Sequence, residues 1–257
     1  MTEPLVRTTR SDWYATITMA IPQRRNALSL KVITQLTQAL EDAGASDLAG
    51  VMIAGEGPVF SSGHDFADMA GRHLGEMRAL LRACADMMLL IGELPQVVMA
   101  RVQGPALAAG CQLVAACDLA VAVDSATFSL PGGKGGWFCH TPSVAVARAI
   151  GRKQIMEMAL TGDPIDARTA VDWGLLNRAV PAEELDQASE DLLARATRGS
   201  KLSKAMGKHT LYRQMDLELR EAYDYATEVM AASSQTRDGQ ESMTSFIERR
   251  PAKFVER

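Results

Sequence analysis

The sequence predicts an α/β fold, a largely parallel sheet covered on both faces by helices. Two patterns carry this. Strand-like and helix-like stretches alternate through the first half, and the strands after the first are short continuous apolar runs rather than alternating ones. The 257 residues, 47% of them hydrophobic, suffice for one large α/β domain or for such a domain with a helical appendage.

Taken in order, Trp13-Tyr-Ala-Thr-Ile-Thr-Met19 is a β-rich alternating run that Ile21-Pro22 ends. Ser29 suits an N-cap for a helix over Leu30 to Ala43, with Val32, Ile33, Leu36, Ala39 and Leu40 on one face. Gly50 to Ala54 is a buried strand, followed by a glycine-punctuated loop from Gly55 to Asp65. A helix over Leu74 to Ile91 leads to a strand over Gln96 to Val102, and a buried helix over the Gly104 to Asp118 stretch leads to a strand over Leu119 to Val123. In sheets of this kind ligands sit beyond the carboxyl ends of the strands, where the loops at 55–65 and 103–110 emerge. Phe128 to His140 is a loop whose four glycines allow close approach to a ligand or to another backbone. Thr141-Pro142 then predicts an N-cap and a proline at the first helical position. Beyond it the pattern is helical over Ser143 to Ile150, Lys153 to Leu160, Ala167 to Trp173, Ala182 to Ala196, Ser203 to Ser234 and Gln240 to Arg249.

Gly104-Pro-Ala-Leu-Ala-Ala-Gly-Cys-Gln-Leu-Val-Ala-Ala-Cys-Asp118 is almost wholly small and apolar, so it has no solvent face. Its start offers backbone N–H groups without intrahelical acceptors, a natural anion or oxyanion site; a close-packed core helix is the other reading. Charge narrows the function classes. With 27 basic against 31 acidic side chains, a net charge of −4 and charges of both signs mixed along the chain, a nucleic-acid binder is disfavoured. No apolar run approaches the roughly 20 residues that span a bilayer, and Met-Thr-Glu-Pro-Leu-Val-Arg lacks a signal-peptide pattern, so a cytoplasmic protein is expected. Cys84, Cys111, Cys117 and Cys139 show no metal-binding spacing and read as buried free thiols, so no metal is expected. Gly132-Gly-Lys-Gly-Gly136 does not complete a dinucleotide fingerprint, and neither a phosphate-binding loop nor a nucleophile elbow is present.

Arg24-Arg-Asn-Ala-Leu28, Phe60-Ser-Ser-Gly-His-Asp-Phe-Ala-Asp-Met69, Gly104 to Asp118, Ala126-Thr-Phe128, Leu160-Thr-Gly162 and Ser245-Phe-Ile-Glu-Arg249, in this order and spacing, resemble the crotonase superfamily of enoyl-CoA hydratases and isomerases. The Gly-Gly-Lys-Gly-Gly-Trp-Phe-Cys loop is similar to that of the enoyl-CoA hydratase domain-containing subgroup. The resemblance implies a ββα spiral core over residues 1–200 and a helical C-terminal region over 201–257 that drives trimer formation, often paired into hexamers. It also implies binding of coenzyme A thioesters as substrate or ligand, no permanently bound cofactor, and an oxyanion hole made by the amides of His64 and Ala109. Such a donor is typically worth about 10²–10³ in rate.

The resemblance also marks two departures. Where family hydratases carry the two glutamates that position and activate water, this chain has Gln112 and Gly132. Glutamine does not exchange a proton near neutral pH and glycine has no functional group, so hydration of an enoyl-CoA is expected to be weak. His140 is a candidate acid or base, or else a loop histidine that packs locally. Cys139 is a candidate nucleophile or a buried thiol, and the His64 imidazole lines the pocket or is simply exposed beside Asp65. Gln112 orients a water or a polar acyl group, or is a satisfied buried amide. His73 and His209 are assigned to solvated or interface helix faces. For coenzyme A, Arg25, Ala27, Asp65, Phe66 and Ala67 match one group of family contacts. Phe246 and the basic Arg249, Arg250 and Lys253 match a second, contributed by a neighbouring subunit; a solvated charged tail is the alternative for that cluster. Three functions follow: a crotonase-type enzyme with an altered reaction, a non-catalytic acyl-CoA binder, and a thioester or C–C bond hydrolase run by His140.

Overall fold

The computed structural model describes residues 4–255. In chain order the elements are β1 (Val6–Arg10), β2 (Tyr14–Met19), α1 (Leu30–Gly44), β3 (Gly50–Gly55), α2 (Phe66–Met69), α3 (Leu74–Glu93) and β4 (Val97–Val102). There follow β5 (Ala106–Leu107), α4 (Ala109–Ala116), β6 (Leu119–Val123), β7 (Thr127–Ser129), α5 (His140–Ala149) and α6 (Arg152–Thr161). The rest comprises β8 (Ile165–Asp166), α7 (Ala167–Trp173), β9 (Arg178–Val180), α8 (Leu185–Thr197), α9 (Lys201–Gln214), α10 (Leu219–Ser234) and α11 (Arg237–Ile247).

The main sheet has the order β1-β2-β3-β4-β6-β9, and every pairing from β2 onward is parallel. β3 is buried at all six positions, as its unbroken apolar sequence requires. The antiparallel β1 was not expected: four of its five residues are exposed, so it carries no apolar signal. A second small sheet, β5-β7-β8, stands beside the first. Its strands are two or three residues long, below what periodicity can register.

Several boundaries differ from expectation for local reasons. The buried helix begins at Ala109, not near Pro105, because Ala106 and Leu107 pair with Phe128 and Ser129 and the Ala108 N–H donates to the Ser129 carbonyl at 2.9 Å. α5 begins at His140 with Cys139 as N-cap, so Thr141 and Pro142 lie inside the first turn. Proline is accepted there because first-turn N–H groups have no helical acceptor. The helical stretch after Ser203 is two helices broken at residues 215–218. α11 starts earlier than Gln240, at Arg237, where the Thr236 hydroxyl accepts from the Gly239 N–H at 3.0 Å.

His73 and His209 have partners. His73 caps α3, its Nδ1 accepting from the Gly75 and Glu76 N–H groups while Glu76 accepts from the His73 N–H. His209 meets the Glu93 carbonyl at 2.8 Å and helps to seat α9 on α3. Beside it Lys208, nearly buried, pairs with Asp118 at 2.7 Å and donates to the carbonyls of Ile91 and Gln96. Among the described residues no helix is long and apolar enough to cross a membrane.

Candidate active site

Two segments far apart in sequence are strapped side by side at the ends of the strands. The first strap is Asn26, fully buried with a φ of 51°, a left-handed conformation that asparagine tolerates better than most residues. Its Oδ1 accepts from the Ile21 N–H at 3.1 Å, and its Nδ2 donates to the carbonyls of Glu56 at 2.9 Å and Val59 at 2.8 Å. The Ser61 hydroxyl donates to the Asn26 carbonyl at 2.9 Å and accepts from the Gly63 N–H at 3.2 Å. The Leu28 N–H donates to the Gly63 carbonyl and the Asp65 N–H to the Leu28 carbonyl, so Leu28 and His64 form a parallel bridge. Such a bridge uses the groups on either side of His64 and turns its own N–H away.

The second segment is tied to the first by the Leu107 N–H on the Ser61 carbonyl, 2.9 Å. Ala108 then takes φ 49° and ψ −118°, a strained conformation for a residue with a Cβ. Ala109 opens α4, where its N–H has no intrahelical acceptor. Gly110 allows the approach, since a Cβ there would lie 2.7 Å from that of Ser61. At Gly63, with φ 87°, a Cβ would stand 3.1 Å from the Ala109 nitrogen. Among the described residues neither the His64 nor the Ala109 N–H donates to a protein acceptor.

A cavity of about 360 Å³ lies against this junction, with Ala108, His64, Gly132, Cys139, His140 and Phe66 among its lining residues. The His64 imidazole is thus in the pocket rather than simply exposed. Burial pulls its pKa from 6.5 to about 4, and its Nε2 has no hydrogen-bond partner among the described residues. His140, exposed at the start of α5, packs its ring against Phe138 with centroids 5.1 Å apart. Burial pushes the Cys139 thiol up, although the Gly132 N–H bonds to it, which opposes a thiolate nucleophile. Among the described residues no carboxylate lines the cavity. The arrangement offers two unpaired backbone donors, Ala109 at the start of an apolar helix and His64 in the loop strapped beside it, a pair of the kind that can hold a carbonyl oxygen as it gains negative charge.

The other expected residues are more scattered. Gln112 is buried outside the lining, and its Oε1 has no partner among the described residues, so it is not a satisfied amide. Arg25 is exposed at a φ of 52°, and Ala27 is buried. Asp65 pairs with Arg24 and caps α2 by accepting from the Ala67 N–H at 3.1 Å. Phe246 is 84% exposed and Lys253 exposed, both outside the cavity, while Arg250 is tied to Glu241 and Glu248. Sequence reasoning missed the strapping role of Asn26 and Ser61 and the cavity walls Trp137 and Phe138. Asparagine within a turn was the available signal for the first, and aromatic residues in a glycine-rich loop for the second.

The profile described as enoyl-CoA hydratase/isomerase matches residues 10–257. The mitochondrial enoyl-CoA hydratase domain-containing protein 3 of Rattus norvegicus is 40% identical over 251 residues, covering 96% of this chain and 84% of that protein. The crystal structure of human enoyl coenzyme A hydratase domain-containing protein 3 is 38% identical with a TM-score of 0.93, covering 97% of this chain and all (100%) of that one. That of an enoyl-CoA hydratase from Mycobacterium smegmatis is 37% identical with a TM-score of 0.95, covering 98% and 99%. The fold is that of the crotonases, and the chain belongs to the enoyl-CoA hydratase/isomerase family.

Proposed function

We propose that this protein binds acyl-CoA thioesters and holds the thioester oxygen on the N–H groups of His64 and Ala109, stabilising an enolate. The observation that carries the reading is the pair of unpaired backbone donors beside the cavity, in a chain of this family. The nominal reaction, hydration of a 2-enoyl-CoA to a 3-hydroxyacyl-CoA, is expected to be weak. Gln112 supplies no exchangeable proton near neutral pH, and Gly132 has no side chain. General acid–base catalysis is worth roughly 10²–10⁴ per group, so losing two such groups costs orders of magnitude. Purified protein is expected to hydrate crotonyl-CoA far below the usual enzymatic range; a turnover of about 1–10³ per second overturns the expectation.

His140 supports a second reading, because it stands on the cavity wall beside Cys139 with an exposed ring. In that reading it moves the proton in hydrolysis of a thioester or C–C bond. A panel of acyl- and enoyl-CoA thioesters, followed by mass spectrometry, separates the alternatives. A hydrolysed product lost in His140→Ala favours the hydrolase, and retention of ligand without turnover favours a binder. Arg25 and the backbone around Ala27 and Asp65 to Ala67 are proposed to meet the nucleotide, with Phe246 and Lys253 of a neighbouring copy in a homotrimer or homohexamer.

A further inference from the structure

The cavity beside the two unpaired donors has a wall that the missing-glutamate reading does not explain. From Gly132 to Cys139 the chain doubles back on itself: the Gly132 N–H bonds to the Cys139 thiol, and the Gly135 N–H donates to the Gly132 carbonyl at 3.2 Å. The fold-back leaves no room for a side chain at Gly132, where a Cβ would stand 2.8 Å from the Cys139 nitrogen and 2.9 Å from its Sγ, and closer still to the Trp137 carbonyl oxygen. Gly132 is therefore a position the loop requires to be glycine, and what the loop builds is an apolar wall of Trp137 and Phe138.

Across the cavity Trp137 meets Phe66 edge to face, with ring centroids 6.1 Å apart. The two rings come from separate segments, the Gly132–Cys139 loop and the start of α2, and are 44% and 69% exposed, so they stand at the rim rather than in the core. Leu81, Phe138 and Pro142 continue the apolar lining inward. Among the described residues no Lys, Arg, Asp or Glu lines the cavity, and burial keeps His64 neutral near pH 7. A charged acyl group entering here would lose its hydration without meeting a counter-charge. An apolar one would gain roughly three- to fourfold in affinity for each methylene fully buried.

We propose that Trp137 is the specificity-determining residue of this cavity, selecting thioesters of extended apolar acyl groups over short or charged ones. This rests on the acyl-CoA reading above and adds the class of acyl group to it. The test is calorimetric titration of the full-length protein with coenzyme A and with its butyryl, hexanoyl, decanoyl and succinyl thioesters, repeated with Trp137→Ala and Trp137→Phe. Each variant is checked for an unchanged thermal transition. Decanoyl-CoA is expected to bind at least tenfold more tightly than butyryl-CoA, and succinyl-CoA no better than butyryl-CoA. Trp137→Ala is expected to reduce the decanoyl-to-butyryl ratio several-fold, and Trp137→Phe to restore most of it. Equal binding of all thioesters, or a ratio unmoved in Trp137→Ala, overturns this inference and leaves the acyl-CoA reading intact. Failure of every thioester to bind overturns both.

Discussion

Gly132 has no side chain to lose, yet its place in the pocket wall admits none. The backbone of Trp137 and Cys139 fills the space a Cβ would need, so Gly132→Ala forces the loop open. Overpacking of this kind costs typically 1–3 kcal/mol, which urea denaturation will register. Gly132→Glu combined with Gln112→Glu is expected to leave the rate of crotonyl-CoA hydration no higher than in the unmodified protein; a large gain in rate would show that the loop is not an obstacle. His64 gives a pH signature. Its folded pKa is about 4 against 6.5 unperturbed, so between those values the unfolded chain binds a proton that the folded chain does not. Stability from this group is therefore complete above pH 6.5 and is lost as pH falls toward 4, with a slope of up to about 1.4 kcal/mol per pH unit. Comparing denaturation at pH 4.5, 5.5 and 6.5 in the protein and in His64→Gln checks this; identical slopes refute it. The motifs that contain Asn26, Gly63 and Gly110 were legible in the sequence, and the two glycines answer to a local steric demand, but the hydrogen bonds by which Asn26 straps the site were not. The fold-back onto Gly132 was not legible, since glycines in a loop allow approach to a ligand as readily as to backbone.

Among the elements, α9 has no buried residue, and several of its ties to the core are polar. Lys208 is the chief tie, nearly buried and reaching Asp118 and two carbonyls. Burial pulls its pKa down while Asp118 pulls it back up. Asp118 also accepts from the Val98 N–H at 2.7 Å and the Tyr212 hydroxyl at 2.8 Å, so it binds β4, the start of β6 and α9 together. Lys208→Met leaves that carboxylate without its counter-charge, which typically costs 3–5 kcal/mol. A loss below about 1 kcal/mol in urea denaturation would mean that α9 is seated by something else. At this scale the long amphipathic and buried elements were readable: α1 with its Ser29 cap, β3, β6 and α7 lie where the pattern puts them. What escaped was short or exposed. β5, β7 and β8 owe their conformation to one another, and two or three residues carry no period. The break after Gln214 has neither proline nor glycine to announce it.

The whole molecule carries large apolar side chains in water along and between its last three helices, among them Met215, Leu219, Tyr223, Met230, Phe246 and Ile247, each at least 69% exposed. Apolar surface on this scale is usually covered by a partner. The expected mass in light scattering is three or six times that of one chain, and Leu219→Glu with Met230→Glu is expected to shift it toward one; a single-chain mass for the unmodified protein would refute the assembly. The strapping of the candidate site has a consequence for how the molecule is made. Its two donors are aligned by Leu28 bridged to His64 and by Ser61 bridged to Ala106, contacts that close loops of tens of residues. Loop closure of this kind is paid in chain entropy before the contacts can repay it, which delays non-local pairings in folding. The two N–H groups are set by contacts between separate segments, so a half-folded chain lacks the paired donors, and binding at the candidate site becomes a readout of completed folding.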